Sequence, residues 1–245
     1  MNYQNSALLF TVLLLAGFIA PISASAQLRN ALNLETTDDK PYHIGIVLMG
    51  AASHFQVSQH PLFLQRDSVL GTSPQNSMGL GLGGMFTFRL SKRFEARAIF
   101  PQLLFVNKSI EYSLKYPNSL YDEKAVITKN IESILLGLPL QLKFRSDRIR
   151  NFRVYMMGGG KIEYDLSSKA RAKNAEDLVK LSSFDYGVEA GIGFNFYMPY
   201  FILSPEIKIS NGLTNSHSRD PDLKFSNVID KLQSRMIVFS LIFEG

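Results

Sequence analysis

Between Phe184 and Phe196 every second residue is large and apolar or alanine: Phe184, Tyr186, Val188, Ala190, Ile192, Phe194 and Phe196 share one parity. Asp185, Gly187, Glu189, Gly191, Gly193 and Asn195 hold the other. A period of two is the signature of a β-strand with two unlike faces. From Phe201 to Ser210 the pattern recurs, with Phe201, Leu203, Ile207 and Ile209 opposed to Ser204, Glu206, Lys208 and Ser210. One broad face seeks an apolar medium while the other carries full charges at mid-strand.

The start of the chain indicates which medium that is. Ala7 to Ala20 is an apolar run interrupted only by Thr11, followed by Pro21 and then Ala24-Ser25-Ala26 before Gln27. This reads as a secretory h-region with a small-residue cleavage site, so residues 1–26 are expected to be a cleaved signal peptide. The run falls short of the roughly 20 residues needed to span a bilayer. Beyond Gln27 every longer apolar stretch is broken by Gly, Pro or charge. A membrane-embedded form must then be a closed sheet, the one alternative to helices that satisfies all backbone polar groups in lipid. The chain has no Cys, hence neither disulfide nor thiolate site.

Candidate strands are 42–55, 78–90, 94–112, 131–145, 152–165, 184–196, 201–210 and 233–243. Their connections alternate: 56–77, 113–130, 166–183 and 211–232 are long, whereas Ser91-Lys92-Arg93, 146–151 and 197–200 are short. This is the rhythm of an all-β, eight-stranded antiparallel up-and-down transmembrane β-barrel with short periplasmic turns and long external loops. Residues 42–245 are assigned to the barrel, and the polar, unpatterned stretch 27–41 to a periplasmic N-terminal segment. No repeat, low-complexity tract or second domain stands out.

Aromatic residues are expected to form two girdles. Tyr42, Phe88, Phe94, Phe144, Phe152, Phe196, Tyr197, Tyr200, Phe201 and Phe243 lie beside the short turns and termini; Phe55, Tyr112, Tyr164, Phe184 and Tyr186 lie at the long-loop ends. Pro101, Pro139 and Pro205 fall inside strands of a sheet without a free edge, so each removes a ladder hydrogen bond and bulges are expected there. Near Pro101 the alternation slips, since Ile99 and Leu103 would otherwise point inward.

With the apolar parity outward, the inward charges are Arg89, Glu95, Arg97, Lys143, Arg145, Arg153, Lys161, Glu163, Glu189, Glu206, Lys208 and Arg235. Both signs are present in comparable number, and an eight-stranded barrel is just wide enough to be filled by side chains. A structural lumen network of ion pairs is therefore expected, with Gly79, Gly81, Gly83, Gly187, Gly191 and Gly193 leaving room for the long Arg and Lys stems. A lipocalin-like soluble barrel would need the opposite arrangement, apolar within and polar without.

Signals for chemistry are thin, and neither cofactor nor catalytic site is assigned. The imidazoles are His43, His54, His60 and His217. His54 and His60 neighbour Ser53, Ser58 and Gln59, and His217 sits between Ser216 and Ser218, but nucleophile, base and orienting group must converge in space. His54, His60 and Asp67 lack a fixed metal-ligand spacing. Gly81 to Gly84 and Gly158 to Gly160 lie within strands and open no helix, so no phosphate loop is indicated. The net charge of +5 belongs wholly to residues after 26. Its basic clusters, Arg89, Lys92 and Arg93, then Lys143, Arg145, Arg148, Arg150 and Arg153, suit phospholipid head groups or an acidic partner. Outer-membrane lipid is thus an expected partner; nucleic acid and a small-molecule substrate are not. The third long loop mixes both signs and suggests a short helix around 174–181.

Two blocks of the chain are more specific. Gly137-Leu138-Pro139-Leu140-Gln141-Leu142-Lys143-Phe144-Arg145-Ser146, continued by Asn151 to Tyr155, Gly158 to Lys161 and Tyr164-Asp165-Leu166, resembles the PorT/SprT family of Bacteroidetes outer-membrane barrels. Ser204-Pro205-Glu206-Ile207-Lys208-Ile209-Ser210-Asn211-Gly212-Leu213 is similar to that family's seventh strand and loop entry. The resemblance implies a non-enzymatic integral protein of the cell outer membrane. It implies a role in the type IX protein secretion machinery, in some species with gliding motility, and other secretion-machinery proteins as partners. A general barrel for envelope integrity or surface adhesion is the alternative. Where many such barrels end in Phe, this chain reads Phe243-Glu244-Gly245, with Phe239, Leu241 and Phe243 keeping the alternation.

Overall fold

The computed structural model describes residues 32–59, 69–115, 125–167, 182–217 and 229–245. The signal segment, the loop helix expected at 174–181, and His60 and Asp67 lie outside the described residues. The strands are β1 (Tyr42–Gln59), β2 (Val69–Gln75), β3 (Ser77–Arg89), β4 (Phe94–Leu114), β5 (Val126–Arg145), β6 (Phe152–Asp165), β7 (Phe184–Tyr197), β8 (Ile202–Gly212) and β9 (Ile229–Glu244). All pairings are antiparallel, and the sheet closes because β1 pairs with β3 and β9 while β4 pairs with β3 and β5. Both β2 and β3 pair with β4, so they are two halves of one wall strand broken at Asn76. The ring therefore has eight strands and no free edge at the level of the lipid.

The period-two pattern puts the apolar parity outward. Ile44, Ile46 and Leu48 on β1, Leu80, Leu82, Phe86 and Phe88 on β3, and Ile237 and Phe239 on β9 are all exposed. The run from Met78 to Phe88 has the length of about 9–11 residues that a tilted strand needs to cross a bilayer. Rings pair across neighbouring strands at the short-turn end: Phe94 with Phe144 at 5.2 Å, Phe152 with Phe196 at 5.3 Å and Phe201 with Phe243 at 5.9 Å between centroids. Tyr197 departs from that girdle and points into the barrel mouth. At the other end Phe184 and Tyr186 face outward, but Phe55 and Tyr112 are turned inward and fully buried, so the girdle there is sparser than expected.

Three further differences have physical causes. Strand extends beyond the expected limits at the long-loop end, including β2 within the first long connection. Those segments stand clear of lipid, so their outward residues, such as Asn107, Ser109, Asn130 and Glu132, are polar and carry no apolar alternation. Pro101 does mark a bulge: the β3–β4 register shifts between Gly83 and Met85, and the β4–β5 register between Ala98 and Gln102. Ile99 nevertheless points inward and is fully buried; the slip occurs at Phe100 and Pro101, after which Gln102, Leu104 and Val106 take the inner face. Pro139 keeps its register with β6, and around Pro205 the β7–β8 ladder omits two pairs without shifting. Among the described residues no helix is long and apolar enough to cross a membrane.

Candidate functional site: a filled lumen and its two closures

The lumen is two-sided. Val47, Met49, Met85, Ile99, Leu104, Val106, Met236, Val238 and Ile242, from β1, β3, β4 and β9, pack into one apolar cluster. The sequence pattern does not register this half, because β1 and the middle of β4 are apolar on both faces and so show no alternation. The expected role of the inward glycines divides accordingly. A Cβ on Gly81 would meet Leu104, one on Gly191 would meet Lys208, and one on Gly193 would strike the Tyr155 ring. Of the six glycines expected inward, those of β7 clear space for polar side chains.

Facing the apolar wall is the charged one. Arg97 of β4 reaches across to Glu206 of β8: its two terminal nitrogens donate to both carboxylate oxygens, the Nη2 contact measuring 3.1 Å. The fork-on-fork geometry is the strong form of such a pair. Arg97 Nε donates to Gln141 Oε1 at 2.6 Å, and Gln141 donates onward to Glu189. Lys208 Nζ lies 3.5 Å from Glu189, and the Tyr155 hydroxyl donates to Glu206. Nearer the short turns, Glu95 sits between Arg145 at 2.7 Å and Lys143 at 3.6 Å, and Lys143 Nζ lies 3.9 Å above the Tyr155 ring. Nearer the long loops, Lys161 pairs with Glu163 at 2.7 Å. These charged groups are almost wholly buried, where ions are tolerated only when paired and hydrogen-bonded.

Of the residues expected in the lumen, Glu95, Arg97, Lys143, Arg145, Arg153, Lys161, Glu163, Glu189, Glu206 and Lys208 are buried there, and half-buried Arg89 stands at the mouth. Arg235 does not belong. It shares the outward parity of Ile237, Phe239 and Phe243, is exposed, and donates from Nε to Asn211 Oδ1 at 3.0 Å. Its position two residues from Ile237 on the same parity was the signal against an inward assignment. Lys108 is the lumen cation the sequence reading missed. The Pro101 slip moves it to the inner face, where it donates to Ser234 Oγ at 2.6 Å beside the Phe55 ring. A cavity of about 30 Å³ remains between Lys108, Glu163, Asp165 and Asp185, room for about one water molecule.

Each end of the lumen is covered. At the long-loop end Phe55, Ile110, Tyr112, Leu114, Ile131, Ile229 and Leu232 form a second apolar cluster. At the short-turn end the segment before β1 is not a loose leader. Its residues Glu35–Asp39 make a 3-10 helix. Asp38 there meets Arg153 at 2.9 Å, Arg148 at 3.1 Å and Arg145 at 3.8 Å. Asn33 donates to Asn151 Oδ1 and the Tyr197 carbonyl, both at 2.9 Å, and Arg148 stacks 3.6 Å above the Tyr197 ring. Partial burial is the largest influence on the Asp38 carboxyl and raises it. The charges and hydrogen bonds of Arg153 and Arg148 together outweigh burial and hold it below its ordinary 3.8. Much of the basic cluster near the turns thus serves Asp38 and Glu95 rather than head groups.

Ser53 and His54 lie on opposite faces of β1, and among the described residues no three His, Cys, Asp or Glu side chains are placed to hold a metal.

No protein of curated function matches the sequence. Solved structures with similar folds include the outer membrane protein OprG from Pseudomonas aeruginosa, at 12% identity and TM-score 0.43 over 82% of this chain and 95% of that one. Neisserial surface protein A matches at 11% identity and TM-score 0.35, covering 82% and 96%. Ail of Yersinia pestis, in complex with the heparin analogue sucrose octasulfate, matches at 11% and 0.38, covering 84% and 100%. Similarity this distant carries no functional weight. The model of the outer membrane protein beta-barrel domain, by contrast, matches residues 35–218. The chain belongs to that family and is an integral β-barrel of the outer membrane.

Proposed function

We propose that this barrel is a non-enzymatic, non-conducting component of the type IX protein secretion machinery, working through the surfaces it offers to other components. The observation that carries the non-conducting part is the filled lumen: a charged network against an apolar wall, closed by an apolar cluster at one end and by the Asp38 segment at the other. A barrel so filled is suited to a structural or binding role, and its inward charges are structural. Support for the secretory role comes from the two blocks that resemble the PorT/SprT family, Gly137 to Ser146 with its continuation and Ser204 to Leu213. In this reading the short turns face the periplasm, the long loops face outward, and the partners are other secretion proteins.

Deleting the gene should abolish export of cargo bearing the C-terminal sorting domain, and cross-linked co-purification from outer membranes should recover secretion components. Normal export with an empty partner list would remove the secretory role. Altered detergent sensitivity or adhesion alongside normal export would favour a general envelope barrel.

A further inference from the structure

At the short-turn mouth the Asp38 carboxylate sits in a cradle that the barrel builds on its own. Arg148 donates from Nε to the Arg150 carbonyl at 2.6 Å and from Nη2 to Asn151 Oδ1 at 3.0 Å, and its guanidinium lies over the Tyr197 ring. Arg145 is fixed by the Lys92 carbonyl at 3.0 Å and by Glu95 at 2.7 Å. None of these supporting groups belongs to the segment before β1. The two guanidiniums are therefore set in place whatever fills the cradle, and such preorganisation favours tight recognition of an anion.

The segment that fills it is held more lightly. Of residues 32–41 only Thr37 is buried, and Glu35 and Asp39 are exposed. Leu34, at the entry to the 3-10 helix, has a left-handed backbone with φ 53°, a strained conformation for a bulky residue. A segment that buries so little apolar surface opens at low free-energy cost. Positive charge also remains in excess. Among the described residues Arg148 and Arg153 share Asp38 as their one carboxylate, and Arg153 Nε is buried without a hydrogen-bond partner. A segment bringing a second acidic group would satisfy these donors more fully than Asp38 does.

We propose that Arg145, Arg148, Arg153 and Tyr197 form a receptor for an acidic segment of another protein, and that the strap carrying Asp38 occupies it until that segment takes its place. The chemistry of the ligand is defined by what already sits there: a side-chain carboxylate on a short stretch of peptide, met by clustered arginines as acidic motifs are. In the orientation proposed above this mouth faces the periplasm. The partner's address rests on that reading, whereas the cradle does not.

The test is fluorescence polarisation of a labelled peptide of residues 32–41 against the purified barrel in uncharged detergent. The Asp38→Asn barrel, its strap loosened, should bind the peptide about tenfold or more tightly than wild type, whose tethered strap competes at high effective concentration. The same peptide carrying Asp38→Asn should bind that barrel about tenfold or more weakly, a comparison that stands even where an arginine variant fails to fold. In the Asp38→Asn barrel, Arg148→Gln or Arg153→Gln should each weaken binding by about tenfold or more, the loss expected when charge-assisted hydrogen bonds are removed. Arg150 is exposed in the same turn and lies outside the cradle, so Arg150→Gln should change binding by less than about twofold. No binding to the Asp38→Asn barrel, equal binding of the two peptides, or an equal loss with Arg150→Gln would overturn the receptor. Displacement of the labelled peptide by inorganic phosphate as readily as by unlabelled peptide would also overturn it, leaving a general anion site. Peptide binding as expected, together with normal cargo export in the deletion strain, would uphold the receptor and remove only the secretory role.

Discussion

At the scale of single residues, the lumen depends on charges that satisfy one another. Removing Glu206 leaves Arg97 buried without its carboxylate, a loss of about 3–5 kcal/mol if the site is dry. Glu206→Ala should therefore lose heat resistance on a gel, whereas Glu206→Gln, which keeps a hydrogen-bond acceptor, should lose less. If the two variants melted alike, and like wild type, the pair would not be structural. Gly193→Val should also destabilise, by roughly 1–3 kcal/mol, because the new side chain meets the Tyr155 ring that donates to Glu206; an unchanged melting temperature would show that the ring can move aside. Charged residues such as Glu189 and Lys208 were legible in the sequence because each alternates with bulky apolar neighbours. Arg235 was misread for want of tracing its parity to Ile237, and Lys108 because a single-residue slip at Pro101 reverses inside and outside.

Among the elements, strands that cross lipid announce themselves, since their outward faces must be apolar. The parts that leave it do not. β2 reads as polar loop, and its strand character comes from pairing with β4, a long-range contact no local pattern records. The N-terminal segment is the plainest case: nothing in Glu35 to Asp39 reveals that Asp38 will meet three arginines. Because the carboxyl of Asp38 is held below its ordinary 3.8, the contact contributes stability at every pH above that value. It is lost only as pH falls through the lowered folded value. Hydrogen exchange over residues 32–41 should accordingly be equally slow from neutral pH down to about pH 5, after correction for the intrinsic rate, and accelerate only in stronger acid. Asp38→Asn should show fast exchange at all these pH values. Protection unchanged in Asp38→Asn would mean that Asn33 and the Tyr197 contacts hold the segment alone.

For the molecule as a whole, the eight-stranded ring was foreseeable from strand count and the alternation of long and short connections. The two-sided lumen was not, because an inner wall lined by Leu104, Val106 and Met236 looks the same in sequence as a strand buried on both faces. That apolar wall should matter as much as the charged one: Leu104→Ala should cost about 2–5 kcal/mol, read as a lowered melting temperature of the folded barrel. It also bears on transport, because water and ions would have to displace packed side chains along the whole path. Removal of residues 32–41 uncovers only the short-turn mouth and should still leave no channel. The most direct measurement is single-channel recording of the purified barrel in planar bilayers, with and without those residues. Silence is expected from both forms. Stable unitary conductance from the full chain would contradict the filled lumen.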